Sequence, residues 1–312
     1  MNAIELNHVN YSRQKFKLKD VSFYVPQGFV TGFIGGNGAG KTTVIRLIMD
    51  LLQYDGGTIS ILGDSMLTNP IKIKNKIGFA YSETYFNEKW TIKKLENIIS
   101  PFYKDWDRHL FKNYLSKFDL PYNQKINQFS TGMKMKLSLA IAFSHHAELF
   151  ILDEPTSGLD PIVRNEVLEI IQQELIDEDK TVFISTHIIS DLEKIADYLV
   201  YIRDGEIILN DSIESLMSKF QIIKGNHNDL DEELEELLIY RETRKTGYTA
   251  LTQHAQTFKE IFGNEIEVQK PSIEELMIYL EKYKNKLSET LTLESEDTVS
   301  YTHLRAHETR ED

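Results

Sequence analysis

Cysteine is absent from the 312 residues, which excludes any disulfide framework and is compatible with the reducing cytosol. Long apolar runs are missing as well. Those present, such as Leu149–Leu152, fall far short of the roughly 20 residues that a membrane-spanning helix needs. The N-terminus runs straight into polar sequence without a signal-peptide core. Basic excess is also lacking: 35 Lys and Arg stand against 48 Asp and Glu, for a net charge of -13. A nucleic-acid partner would require a basic face, so none is expected. The acidic balance reads as an ordinary solvated surface. What is present is a globular composition, 41% hydrophobic, long enough for one or two domains of about 100–200 residues.

Up to about Leu209, short apolar strands alternate with helical stretches. Ile4–Val9, Lys17–Tyr24, Phe29–Ile34, Thr58–Leu62 and Lys76–Ala80 read as strands. Leu149–Asp153, Thr181–Ser185 and Tyr198–Ile202 are further apolar runs of the kind buried in parallel sheets. Lys41–Leu52 reads as a helix with Val44, Leu47, Ile48 and Leu51 on one face. Tyr81–His146 reads as largely helical, broken at Pro101 and Pro121. Asp204-Gly205 predicts a hairpin between Tyr198–Arg203 and Glu206–Leu209. The alternation predicts an α/β domain, and no internal repeat is present.

The composition shifts near Phe220. The acidic stretch Asn228–Glu236 reads as a linker or exposed face. Strands at Leu237–Arg241, Gly247–Leu251 and Glu265–Val268, and helices at Ala255–Phe262 and from Pro271 to about Lys286, predict a small appended domain. Val299–Thr309 resembles the translation of a transposon adapter used in sequencing libraries. Residues 298–312 are therefore expected to be a non-native tail, with the natural terminus near Lys284–Lys286 or further on.

Gly35-Gly36-Asn37-Gly38-Ala39-Gly40-Lys41-Thr42, followed by Thr43, has the spacing of a P-loop and sits between a strand and a helix. Glycines let a phosphate approach the backbone. Exposed N–H groups and the positive helix end then cradle it. In this pattern Lys41 reaches the outer phosphates and the Thr42 hydroxyl ligates Mg²⁺. Leu149–Glu154 is a buried strand ending in two acids. Behind a P-loop it reads as a Walker B, with Asp153 holding Mg²⁺ through water and Glu154 placed to polarise an attacking water.

A P-loop and a Walker B do not by themselves separate one family of nucleotide hydrolases from another. Phe129-Ser130-Thr131-Gly132-Met133, leading into a helix ahead of the Walker B, resembles the signature motif of the ATP-binding-cassette (ABC) ATPases, usually Leu-Ser-Gly-Gly-Gln. Ser157-Gly158-Leu159-Asp160 resembles their D-loop, Thr186-His187 their switch histidine, and Tyr11 the aromatic that stacks on adenine. The ordered set covers Ala3 to about Leu216, and the C-terminal segment resembles the extension of bacterial ABC exporter ATPases. The resemblance implies an α/β P-loop fold with a RecA-like core, an antiparallel β subdomain and a helical subdomain at about 82–146, all within residues 1–218. Residues 219–297 would then form an α+β accessory domain.

The resemblance further implies an ATPase using ATP and Mg²⁺, with Glu154 and His187 catalytic and the P-loop, Tyr11, Ser130, Gly132 and Asp160 at the nucleotide. It implies a head-to-tail dimer, with a second copy or a homologue, in which Ser130 and Gly132 of one subunit close the other's site. It implies a multi-span membrane permease as partner, a peripheral place on the inner face of the cell membrane, and amphipathic peptides as exported cargo. A soluble ABC protein acting away from membranes and a nucleotide-sensing module are the alternatives. The single cassette and acidic charge weigh against the first. Retention of Lys41, Asp153, Glu154 and His187 weighs against the second.

The sequence departs from the family pattern in three places. The Q-loop glutamine is missing, and Ser82 or Glu83 takes its position; Glu83 is a candidate Mg²⁺ ligand. Thr131 replaces the first signature glycine and adds a Cβ where backbone approach matters. Met133 replaces the signature glutamine. Tyr81, Tyr85, Phe86 and Trp90 crowd the region after this loop, either as an interface core or as packing inside the helical subdomain.

Overall fold

The computed structural model describes residues 1–13, 16–81, 86–174, 180–226, 230–245 and 247–283. Two compact units result, Met1–Ile213 and a second from Glu214 onward. Among the described residues no helix is long and apolar enough to cross a membrane.

The first unit begins with strands β1 (Asn2–Arg13), β2 (Phe16–Pro26) and β3 (Val30–Ile34), then α1 (Lys41–Ile48), β4 (Gly56–Ile61), α2 (Pro70–Asn75) and β5 (Ile77–Tyr81). Helices α3 (Ile92–Ile99), α4 (Arg108–Lys117) and α5 (Thr131–Phe143) follow. The unit continues with β6 (Leu149–Asp153), α6 (Pro161–Glu174), β7 (Thr181–Thr186), α7 (Ile189–Ile195), β8 (Tyr198–Arg203) and β9 (Glu206–Ser212). A three-stranded antiparallel sheet has the order β2-β1-β4, and a six-stranded sheet the order β5-β6-β7-β3-β8-β9. In the larger sheet β5, β6, β7, β3 and β8 run parallel and β9 antiparallel.

Every residue of β3, β6 and β7 is buried, which explains their unbroken apolar character: parallel strands are covered on both faces. The core between the two sheets is keyed by three phenylalanines. Phe23 of the small sheet lies 5.6 Å from Phe33 and 5.9 Å from Phe183, and Phe33 and Phe183 are 5.2 Å apart. Each such buried side chain stabilises the fold by about 1.5–3 kcal/mol.

Helix α1 stops at Ile48, earlier than the apolar pattern through Leu52 predicts, because Asp50 turns into the left-handed region at φ 57. The Asp204-Gly205 turn takes φ 49 and 79. Positive φ at both centres matches the twist of the β8–β9 hairpin. Of the aromatic cluster after β5, Tyr81 accepts a hydrogen bond from Arg46 (3.0 Å), and Trp90 is half-buried with Lys94 over its ring at 5.2 Å. Tyr85, Ser82 and Glu83 lie outside the described residues.

The second unit carries α8 (Ile213–Lys219), whose first residue closes the preceding unit, then β10 (Gln221–Gly225), α9 (Glu232–Glu236), β11 (Leu238–Arg244), β12 (Gly247–Thr252), α10 (Ala255–Phe262) and β13 (Glu267–Gln269). Residues 273–283 are helical. Its sheet is antiparallel throughout, in the order β11-β12-β10-β13. Of the acidic stretch read as a linker or exposed face, Glu232–Glu236 form α9, whose acidic residues are exposed while Leu234 is buried. Asp231 caps that helix by accepting from the Leu234 amide at 2.9 Å, and Leu234 joins the unit's core with Ile223, Tyr248 and Phe258. The adapter-like residues 298–312 lie outside the described residues.

Candidate nucleotide site

The sheet order sets the site. β6, β7 and β3 are adjacent and parallel, with Asp153 beside Ser185 and Ile34 beside Thr186 in register. Their carboxyl ends therefore deliver three loops to one place: Glu154 after β6, His187 after β7, and the glycine loop after β3. Ligand crevices of parallel sheets form at this edge. The loops enclose a cleft of about 530 Å³. Gly36–Gly38 and Gly40–Thr43 line one side, Glu154, Ser157 and His187 another, and Phe16 also contributes.

The glycine loop folds tightly, with the Ala39 amide donating to the Gly36 carbonyl at 3.1 Å and Gly40 at φ 119 opening α1. A Cβ on Gly40 would lie 2.9 Å from Leu18 and 3.0 Å from Phe16 as well as in a forbidden backbone region. A Cβ on Gly35 would lie 2.4 Å from the Ile202 carbonyl. Ala39 and Lys41 are buried, and the Lys41 ammonium donates to the Gly35 carbonyl at 2.7 Å.

The same ammonium lies 3.5 Å from Oε1 of Glu154, whose Oε2 accepts from His187 Nδ1 at 2.7 Å. That bond fixes the proton of the neutral imidazole on Nδ1 when the carboxylate is ionised. Glu154 sits at φ 53, and its amide donates to the Ser185 carbonyl at 2.8 Å. A bulky residue in the left-handed region stores strain and persists only where its surroundings hold it. Lys41, read from the sequence as a phosphate contact, and His187, read as catalytic, thus converge on the Glu154 carboxylate.

Asp153 is 1% exposed, with Oδ2 at 3.5 Å from the Thr42 hydroxyl. Among the described residues, its buried Oδ1 has no hydrogen-bond partner at bonding distance, and neither has the nearby Ser185 hydroxyl, which still acts favourably on the Asp153 charge. Burial pushes the Asp153 pKa above the usual carboxylate value. A hard-oxygen donor pair with an orphaned buried carboxylate oxygen fits a small divalent cation. Glu83 lies outside the described residues.

Tyr11 is elsewhere. Its ring is buried in the core of the first unit, with Arg13 stacked over it at 5.1 Å. The reason is strand periodicity: Val9 and Tyr11 are two apart on β1 and share the core face. The aromatic in the cleft lining is Phe16, at the first position of β2 and paired with Arg13. Its place just across the hairpin from Tyr11 was the available signal. Ser157 was read only as part of the D-loop, yet it lines the cleft.

Ser130, Gly132 and Asp160 are not brought to this cleft within one chain. Ser130 caps α5 by accepting from the Met133 amide at 3.2 Å, and Asp160 caps α6 by accepting from Ile162 and Val163. Gly132 is buried, and a Cβ there would meet Val163 at 2.7 Å; the exposed residue beside Ser130 is Thr131.

Residues 18–157 match the family described as ABC transporter. The chain is 33% identical to the ABC transporter ATP-binding protein YtrB of Bacillus subtilis over 61% of its length and 65% of that protein's. It is thus somewhat under two thirds of this relative's length that the match spans. It is 35% identical to the lantibiotic transport ATP-binding protein SrtF of Streptococcus pyogenes, over 65% of this chain and 89% of that one. A solved ATP-binding subunit of an ABC transporter superposes with a TM-score of 0.63 at 26% identity, over 69% of this chain and 91% of the other. The fold, the site and these relatives agree: the chain belongs to the ATP-binding proteins of the ABC transporter family.

Proposed function

We propose that this chain binds MgATP in the cleft and hydrolyses it as one half of a two-site dimer, powering a membrane permease. The observation that carries the reading is the convergence of Lys41, Thr42, Asp153, Glu154 and His187 at the ends of three adjacent strands. Phosphoryl transfer needs positioning and charge neutralisation more than covalent chemistry, and this set supplies both. The glycine loop and Lys41 bind the phosphates, and Phe16 offers a face to the base. Thr42 and Asp153 would hold Mg²⁺, which when bound neutralises phosphate charge. Glu154 accepts a proton from the attacking water, and His187 orients the Glu154 carboxylate until the terminal phosphate takes over its N–H.

One chain leaves Ser130, Thr131, Gly132 and Asp160 outside the cleft, which supports closure by a partner subunit's copy of the same residues. The cargo proposed is amphipathic peptides of the phenol-soluble-modulin kind, moved outward through a separate multi-span protein. The similarity to a lantibiotic transport protein supports a peptide-like cargo.

Glu154→Gln tests the hydrolytic step. Loss of a general base costs about 10²–10⁴-fold in rate, so turnover should fall at least about 100-fold while MgATP binding, followed by titration calorimetry, is retained. Near-normal turnover would sink the assignment of Glu154. Affinity capture of the full chain from solubilised native membranes tests the partner: recovery of a multi-span protein supports transport, and recovery of soluble partners alone overturns it.

A further inference from the structure

Asp191 is a fully buried carboxylate that the reaction described above does not use. It lies in the first turn of α7, the helix that follows His187. Its Oδ1 accepts from Arg164 of α6, Nε at 2.6 Å and Nη2 at 2.5 Å. Nη2 of Arg164 also donates to Ser190 Oγ at 2.8 Å. This ion pair alone compensates the buried charge and joins α6 to α7, as a purely structural pair would.

The second oxygen does something that such packing does not require. Oδ2 accepts from the Thr156 hydroxyl at 2.6 Å, and Thr156 is 1% exposed. Thr156 is two residues past Glu154, on the turn where Ser157 N donates to the Glu154 carbonyl at 3.2 Å. That turn begins at the strained backbone of Glu154, φ 53. It carries two cleft-lining side chains, Glu154 and Ser157. On the other side, the Asp191 amide donates to Ile188 O at 3.1 Å and the Ile188 amide to Thr186 Oγ1 at 3.0 Å. Asp191 is therefore one hydrogen-bonded turn from the backbone of His187. The network bridges the two segments whose side chains meet at the 2.7 Å contact between His187 and Glu154.

We propose that Asp191, acting through Thr156, is a positioning residue for hydrolysis: it holds the Glu154–Ser157 turn in register with the helix behind His187. The proposal rests on the ATPase reading above. Because neither Asp191 nor Thr156 lines the cleft, its effect falls on the geometry of the base and not on nucleotide binding. A misplacement of about 1 Å is enough to lower a rate by up to about two orders of magnitude.

The test is the steady-state kinetics of the full chain with MgATP, comparing wild type, Thr156→Val and Thr156→Ser. Valine keeps the shape and the Arg164–Asp191 pair but removes the hydroxyl donor. The expected result is a fall in kcat of about tenfold, equivalent to about 1.4 kcal/mol, with KM and calorimetric MgATP affinity within about twofold. Serine, which restores the donor, should recover most of kcat. The proposal is overturned if Thr156→Val turns over like wild type, or if valine and serine are equally impaired. It is also overturned if KM rises and MgATP affinity falls in step with the melting temperature, the mark of a merely structural bond. A wild-type chain without turnover would overturn the hydrolytic reading itself and the proposal with it.

Discussion

At the residue scale, His145 shows how burial decides a titration. The ring is 1% exposed and stacked on Tyr103 at 4.2 Å. Nε2 lies 3.0 Å from the Ile77 carbonyl and Nδ1 3.2 Å from the Ile141 carbonyl. A neutral imidazole has one N–H and satisfies only one of them. The two oxygens and Asp105 favour the cation, while His146 opposes it, but burial is the largest influence and holds the pKa below the ordinary 6.5. The folded state therefore resists a proton that the unfolded chain accepts. As pH falls through about 6.5, the unfolded pKa, stability drops, and the loss levels off below the depressed folded value. His145→Gln should remove this contribution. Melting curves at pH 7.5 and 5.5 should show wild type losing more stability than the variant as pH falls. Parallel pH profiles would contradict the account.

At the element scale, α5 carries two separable roles on one residue. Ser130 is its N-cap, and replacing a capping serine by alanine costs about 1 kcal/mol. Aspartate caps as well as serine, but it would place a negative charge where the dimer reading brings a terminal phosphate. Ser130→Ala should therefore lower the melting temperature. Ser130→Asp should leave it nearly unchanged and abolish ATP-dependent dimerisation, read by light scattering with the Glu154→Gln background holding ATP intact. Dimerisation of Ser130→Asp at wild-type levels would remove Ser130 from the interface. The elements legible in the sequence were those governed by local chemistry. Leu149–Asp153 and Ala255–Phe262 run between the residues that the apolar pattern marks. Helix α2 and strand β10 were not anticipated, the first being six residues long and the second lying where composition changes. Helix α9 was hidden because its acidic residues face solvent and a single residue, Leu234, carries its core contact. Tyr11 was misplaced because a motif's spacing fixes sequence position, whereas the face of a strand is fixed by alternation and by which sheet covers it.

At the scale of the whole molecule, the division into two units, each with a core cluster of its own, bears on what the C-terminal unit contributes. The core formed by the two sheets of the first unit draws its buried residues from Ala3 to Ile202, all within Met1–Ile213. A domain of this size buries roughly 70% of the surface that its unfolded chain exposes, enough to be stable alone. The second unit's core, centred on Ile223, Tyr248, Ala250 and Phe258, belongs to a domain small enough to be marginal by itself. A fragment ending at Ile213 should therefore unfold cooperatively and bind MgATP with an affinity within about twofold of the full chain, since every residue lining the cleft lies between Phe16 and His187. Titration calorimetry on fragment and full chain makes the comparison. A tenfold or larger loss of affinity in a fragment that still melts cooperatively would mean that the C-terminal unit acts on the nucleotide site. Equal affinity would leave that unit to serve dimerisation or the permease, which Mg²⁺- and ATP-dependent sedimentation of the two forms then separates.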